Sequence, residues 1–110
     1  MSPEVPEVVD RYFSLDATRD TDAIVALFTG DATVVDEGEA RHGRAEIREW
    51  RTGTASKYSY TTEVLGIEAL AEDRYRVTGR LDGDFPGGTV VLKFDFTLAG
   101  GLISHLLIAP

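Results

Sequence analysis

Apolar residues recur at two periods along the chain, a helical period in the first half and a period of two in the second. In residues 3–17 the apolar side chains share one helix face, with charged residues opposite. This face carries Val5, Val8, Val9, Tyr12 and Phe13. A second helix is predicted from Asp20 or Thr21 to Phe28, and a third over residues 44–51, because capping residues and glycines bound both patterns.

From Lys57 onward, apolar and polar residues alternate, which is typical of strands. Four strands fit the pattern, over residues 58–70, 74–85, 89–98 and 102–108. Gly66, Gly79 and Gly83 fall inside these strands and indicate bulges or bends. The last strand is apolar on both faces, as expected where a second layer covers the sheet. A homodimer packed through the outer sheet face is the simplest cover.

This order of elements predicts an α+β fold, with a single domain over residues 1–110. Three N-terminal helices are expected to pack in the concave face of a strongly bent, mainly antiparallel sheet. Such a sheet leaves a cone, and the open end of the cone is a natural pocket for a small molecule.

A strand predicted over residues 31–37 carries the candidate chemistry. Because side chains alternate along a strand, Ala32, Val34 and Asp36 share one face. A carboxylate in phase with apolar neighbours points inward, and burial makes it a better base by disfavouring its charged form. Tyr12 lies on the apolar stripe of the first helix, where it is either a hydrogen-bond donor in a cavity or an ordinary core tyrosine. The alternative for Asp36 is a solvated acid at a strand end.

Composition narrows the possible partners. The net charge is −8 and the sequence pI is near 4.6, so the surface repels nucleic-acid phosphates and anionic lipids. Neither a membrane partner nor a nucleic-acid partner is therefore expected. Cysteine is absent, and no signal peptide is recognised at the N-terminus. Both features suit a cytoplasmic protein.

No cofactor and no metal are expected. The chain has no glycine-rich dinucleotide loop, no phosphate-binding loop and no nucleophile elbow. Its two histidines, His42 and His105, lie far apart in the sequence, and no cysteine accompanies them. His42 is expected to cap or pack at the start of the third helix, and alternation places His105 on a face with Ile103 and Leu107.

Three segments together with the order of elements resemble the NTF2-like superfamily, and most of all its SnoaL-like and ketosteroid-isomerase-like branch. They read AIVALF over residues 23–28, DATVVD over residues 31–36 and HGRAEI over residues 42–47. The resemblance implies that Asp36 is a general base and that Tyr12, after Arg11, donates to an oxyanion. It also implies the mechanism of that isomerase, in which an Asp base acts with a Tyr donor and a protonated Asp donor.

The chain departs from that pattern at the remaining polar positions. Phe94 takes the place of the protonated Asp, and the neighbouring Asp95 points to the opposite face. Phe28 and Arg51 take the places of two supporting tyrosines. Loss of one oxyanion donor costs about 3 kcal/mol of transition-state stabilisation.

The sequence therefore predicts a cofactor-independent enzyme for an apolar, carbonyl-bearing molecule. Asp36 removes a proton next to the carbonyl, and Tyr12 binds the enolate oxygen. The residues expected to contact the substrate are Phe28, Trp50, Phe94, Phe96 and Leu106. One alternative is a non-catalytic ligand-binding or dimerisation module. The other is a hydratase-like or epoxide-hydrolase-like activation of water, with Asp84 or Glu63 as a second acid.

Overall fold

The computed structural model describes residues 6–18, 20–53 and 59–110. Three helices are present in these residues: α1 (Glu7–Thr18), α2 (Thr21–Val25) and α3 (Gly43–Thr52). Six strands accompany them: β1 (Phe28–Asp36), β2 (Glu39–His42), β3 (Tyr60–Ala71), β4 (Arg74–Gly83), β5 (Thr89–Ala99) and β6 (Leu102–Ala109).

All six strands form one sheet in the order β2-β1-β6-β5-β4-β3. Only β1 and β6 pair in parallel, and every other neighbouring pair is antiparallel. The predicted α+β class, with three helices on a mainly antiparallel sheet, is confirmed.

Apolar side chains from all three helices meet one face of the sheet. The helices contribute Val8, Val9, Tyr12, Ile24, Val25, Ile47 and Trp50 to this core. The strands contribute alternate residues, which are Ala32, Val34, Val77, Leu81, Phe94, Phe96, Leu106 and Ile108. Burying these side chains on a single sheet face fixes the register, because a slip of one residue would turn them to solvent.

The second helix is shorter than its sequence pattern predicts. Asp20 is the N-cap, as expected, and its side chain accepts a hydrogen bond from the Ala23 N–H at 3.1 Å. The helix ends at Val25 rather than at Phe28. Phe28 instead starts β1 opposite Ile103 of β6, so pairing in the sheet overrides the local helical pattern.

The other predicted boundaries are close to those observed. The residues predicted to start the first helix and the first long strand, 3–5 and 58, lie outside the described residues. β4 ends at Gly83 instead of residue 85, since residues 84–88 form the connection to β5.

The last strand does not alternate regularly, which corrects one predicted facing. A register shift between Thr97 and Leu98 pairs Thr97 with His105 and Leu98 with Ile103, so Ser104 is an extra residue. Ile103 is therefore fully buried and does not share a face with His105. Leu107 remains on the outer face and is 37% exposed.

Two of the three strand glycines lie where neighbouring atoms pack closely against the backbone. An added Cβ at Gly79 would lie 3.3 Å from the Phe94 ring, and one at Gly83 would lie 2.4 Å from the Ser59 carbonyl oxygen. Gly83 thus lets the start of β3 approach the end of β4. The predicted bulge is observed beside Gly66, where the register with β4 shifts.

Candidate functional site

A cavity of about 610 Å³ lies between the helices and the inner face of the sheet. Such a volume falls in the range of small-molecule sites. Its walls are mostly apolar and include the aromatic rings of Tyr12, Trp50, Tyr60, Phe85 and Phe94. Its charged lining residues are Asp16, Asp36, Glu37 and Arg51.

Asp36 reaches the cavity from the last position of β1. It follows Ala32 and Val34 on the inner face, and both of those side chains are fully buried. Its Oδ2 accepts a hydrogen bond of 2.9 Å from the Trp50 Nε1–H of α3. This hydrogen bond fixes the orientation of the carboxylate.

The turn after Asp36 has an unusual backbone. Glu37 has φ +54° and Gly38 has φ +77°, and Asp36 pairs with Glu39 across them. Consecutive left-handed residues are typical of the two-residue hairpin turn that suits the twist of paired strands. The turn residues are thus Glu37 and Gly38.

Tyr12 lines the same cavity from α1 and is only 2% exposed. Its ring meets the edges or faces of Phe13, Phe28 and Phe96, with centroids 5.2, 6.4 and 5.4 Å away. Burial raises the pKa of Tyr12 well above its usual value, and the nearby Asp16 carboxylate raises it further. The hydroxyl therefore stays protonated and can donate a hydrogen bond at neutral pH.

A buried ionic network in the same wall was not predicted from the sequence. Arg51 Nη2 of α3 lies 2.7 Å from Asp16 Oδ1 of α1, and the two side chains are 4% and 9% exposed. The Tyr60 hydroxyl of β3 donates to the two oxygens of Asp16 at 3.0 and 3.1 Å. Burial and the Asp16 charge raise the pKa of Tyr60 to about 12.

The spacing of Tyr12 and Asp16 was a signal for this network, because residues four apart share one helix face. That spacing placed an acid on the apolar stripe, but it did not identify a cationic partner. An arginine at the end of a helix is usually solvated, but Arg51 is only 4% exposed. Of the two positions that carry supporting tyrosines in the isomerase pattern, Arg51 joins this ionic network and Phe28 is buried in the core.

The five predicted substrate contacts divide into two groups. Trp50 and Phe94 line the cavity. Phe28, Phe96 and Leu106 are buried in the core and are not among the lining residues. That these three contact a ligand stays a prediction, and the proposal below does not use it.

The predicted second acids lie away from the cavity lining. Asp84 is exposed and accepts a hydrogen bond from the Ser59 N–H at 2.9 Å. Glu63 is exposed and pairs with Arg80 Nη2 at 2.6 Å. The other carboxylates that line the cavity with Asp36 are instead Asp16 and Glu37. Asp95, as predicted, is turned to the outer face, where it forms a two-point ion pair with Arg76.

Neither histidine lies in the cavity lining. His42 is the N-cap residue of α3, and its Nδ1 lies 3.0 Å from the Thr33 hydroxyl. Within the described ranges, no three His, Asp or Glu residues are grouped as metal ligands would be. No helix in those ranges is both long enough and apolar enough to cross a bilayer.

The architecture and the cavity together define a class of protein, the NTF2-like cone with a pocket between sheet and helices. Within that class the chain belongs to the SnoaL-like family, because residues 9–105 match the model of the SnoaL-like domain. A search of the curated proteins finds no match.

Solved structures agree with this assignment. A candidate polyketide cyclase from Sinorhizobium meliloti is 35% identical with a TM-score of 0.88, over 96% of this chain and 95% of that one. The epoxide hydrolase/cyclase-like enzyme SalBIII, described in pyran ring formation in salinomycin, is 27% identical with a TM-score of 0.80, over 93% and 86%. A Mycobacterium tuberculosis protein in complex with estradiol-17β-hemisuccinate has the same fold at 14% identity and a TM-score of 0.79, over 94% and 90%.

Proposed function

We propose that this protein is a cofactor-independent enzyme that transfers a proton next to a carbonyl group of an apolar small molecule. Asp36 is the base. The observation that carries the proposal is the Asp36 carboxylate at the wall of an otherwise apolar cavity, held at 2.9 Å by the Trp50 N–H. A base in this position contributes about 10²–10⁴-fold to a proton-transfer rate.

Tyr12 supplies the hydrogen bond to the carbonyl oxygen. Its phenol lines the cavity with Asp36, and the raised pKa keeps it a donor. When Asp36 takes the proton it becomes neutral, and the substrate becomes an enolate. The negative charge therefore moves from Asp36 to the substrate, and the total charge of the site is unchanged. The same Asp36 then returns the proton at another carbon, which completes an isomerisation or prepares a ring closure.

The similar proteins support this class of chemistry. The Sinorhizobium meliloti protein is described as a candidate polyketide cyclase, and SalBIII is described as epoxide hydrolase/cyclase-like. Both descriptions name cyclisation, one of a polyketide and the other in pyran ring formation.

The test is deuterium incorporation into a panel of cyclic ketones and enones in D₂O, followed by NMR. Asp36→Asn keeps the shape of the side chain and removes the base, so we expect exchange about 10²–10⁴-fold slower. Tyr12→Phe removes one donor, which corresponds to a loss of roughly 10²-fold or more. Equal rates for the native protein and Asp36→Asn, with ligand binding retained, would leave only a binding module.

That binding module is the second candidate function. It is favoured by Phe94, which lies in the cavity wall where the isomerase pattern has a protonated carboxyl group. A third candidate is activation of water for hydration or epoxide opening. Asp36 and Asp16 line one cavity, but Asp16 is occupied by Arg51 and Tyr60, which favours proton transfer by Asp36 alone.

We also propose that the outer sheet face joins two copies of the chain. Leu107 and Val91 on neighbouring strands are 37% and 45% exposed there, beside charged side chains that include Lys93 and the Arg76–Asp95 pair. Sedimentation analysis of the native protein and of Val91→Asp tests this. A native protein that sediments as a monomer at high concentration would contradict it.

A further inference from the structure

The charged side chains of the cavity do not balance. Among the lining residues described, three are acidic and one is basic. Arg51 lies against Asp16 at 2.7 Å, so these two cancel each other. Asp36 and Glu37 form no ion pair within the described residues, and Trp50, the donor to Asp36, is neutral. The cavity therefore carries an excess of negative charge near Asp36.

The apolar walls make this excess effective. Charges separated by a few ångströms interact several times more strongly at a partly buried site than in water. The aromatic residues Tyr60, Phe85 and Phe94 also line the cavity, and the face of an aromatic ring is weakly negative. The pKa of Tyr12 is raised mainly by burial; among the smaller causes, the charges of Asp16 and Asp36 raise it and the charge of Arg51 lowers it.

We infer that the cavity selects its ligands by the sign of their charge. Its substrate is an uncharged carbonyl compound. Protonated amines of the same shape bind more tightly than that compound, and carboxylates are rejected. The inference rests on the proposed function only in taking this cavity as the ligand site. It adds the charge class of the substrate, which the apolar walls alone do not specify.

Comparing an amine with a carboxylate isolates the sign of the field. Both ions lose hydration on entering an apolar cavity, so desolvation disfavours both. An uncharged ketone on the same skeleton serves as the reference. Trp50 is the only tryptophan in the chain and lines the cavity, so its fluorescence reports binding of ligands that lack aromatic rings.

The experiment titrates the native protein at pH 7 with 1-adamantyl methyl ketone, 1-(1-adamantyl)ethylamine and 1-adamantanecarboxylate. We expect the amine to bind at least about tenfold more tightly than the carboxylate, with the ketone between them. Asp36→Asn should lower the ratio of amine affinity to carboxylate affinity by about tenfold. Glu68→Gln removes one negative charge from an exposed strand position outside the cavity and should leave the ratio unchanged.

If Asp36→Asn fails to fold, Glu37→Gln at the exposed end of the cavity replaces it and should narrow the ratio to a smaller extent. A carboxylate that binds as tightly as the amine overturns the inference. So does a Glu68→Gln variant that lowers the ratio of amine to carboxylate affinity as much as Asp36→Asn does, because the effect would then come from net charge alone. If none of the three ligands binds, the assignment of this cavity as the ligand site is overturned. Sign-selective binding without deuterium exchange supports the inference and contradicts the proposed reaction.

Discussion

Asp36 can act as a base only when its carboxylate is held toward the cavity, and Trp50 supplies that constraint. The indole N–H contacts one oxygen, Oδ2, at 2.9 Å, which leaves Oδ1 to accept a proton. Trp50 is itself 2% exposed, so its ring is fixed by the core. In the proposed reaction the indole would thus position Asp36 without contacting the proton that moves.

Trp50→Phe tests this positioning role. The change keeps an aromatic ring in the wall but removes the N–H, so we expect deuterium exchange to slow about tenfold while ketone affinity changes little. The measurement is a double-mutant cycle of exchange rates with Asp36→Asn. If Trp50→Phe slows exchange by the same factor in the native protein and in the Asp36→Asn variant, the indole does not act through Asp36.

A second residue-scale prediction concerns the buried ion pair. Asp16→Asn leaves the Arg51 guanidinium, 4% exposed, without its carboxylate, so we expect a loss of about 3–5 kcal/mol in the free energy of unfolding. Urea denaturation measures it. The matched control is Asp95→Asn, which breaks the more exposed pair with Arg76 on the outer face and should cost far less. Equal losses in both variants would contradict the prediction.

Strand alternation in the sequence was enough to give the facing of Asp36, because Val34 and Ala32 define the buried phase. It could not give the Asp16–Arg51–Tyr60 network. Those three residues are brought together from α1, α3 and β3, and their meeting depends on long-range packing that no local period encodes. The burial of Arg51 was not predicted either, because an arginine at a helix end is usually solvated.

At the scale of elements, the hairpin between β1 and β2 carries Asp36 and also contains a strained backbone position. Glu37 is the only residue other than glycine with a positive φ among those described. A side chain in this region costs roughly 1 kcal/mol, and it lies directly after Asp36 at the mouth of the cavity. The turn therefore fixes where β1 ends and where the Asp36 side chain is presented.

Glu37→Gly should relieve that strain. We expect the free energy of unfolding to rise by about 0.5–1 kcal/mol, which thermal denaturation would detect as a higher Tm. The control is Glu39→Gly in β2, where the backbone does not need glycine and the change should be destabilising. A lower Tm for Glu37→Gly would show that contacts of the Glu37 side chain outweigh the backbone cost.

The element types and their order followed from the change of hydrophobic period, and the exceptions have physical causes. α2 stops at Val25 because Phe28 is taken into the sheet, and Ile103 donates its N–H to the Leu27 carbonyl at 2.8 Å. The irregularity in β6 comes from an extra residue, Ser104, in the pairing with β5. Both depend on partners distant in sequence, which a local pattern cannot reveal.

At the scale of the whole molecule, the cavity occupies space that the core would otherwise fill. Its wall combines an ion pair with the buried phenol of Tyr12 and the partly buried phenol of Tyr60, and burial is the largest cause of the raised pKa of each phenol. Buried ion pairs contribute little net stability compared with apolar packing. The arrangement therefore suits a site that must keep polar groups in fixed positions more than it suits maximal stability.

The two phenols make the stability of the fold sensitive to alkaline pH. The pKa of Tyr60 is about 12 in the folded protein and near 10 when unfolded, so its stabilising contribution is complete below pH 10 and is lost as the pH rises toward 12. This shift corresponds to roughly 2–3 kcal/mol.

Urea denaturation at intervals between pH 9 and 12 should show the free energy of unfolding falling across that window. Tyr60→Phe should make the fall shallower, whereas Tyr75→Phe, which changes a tyrosine outside the cavity lining, should not. A fall of unchanged steepness in Tyr60→Phe would assign the alkaline sensitivity to other groups.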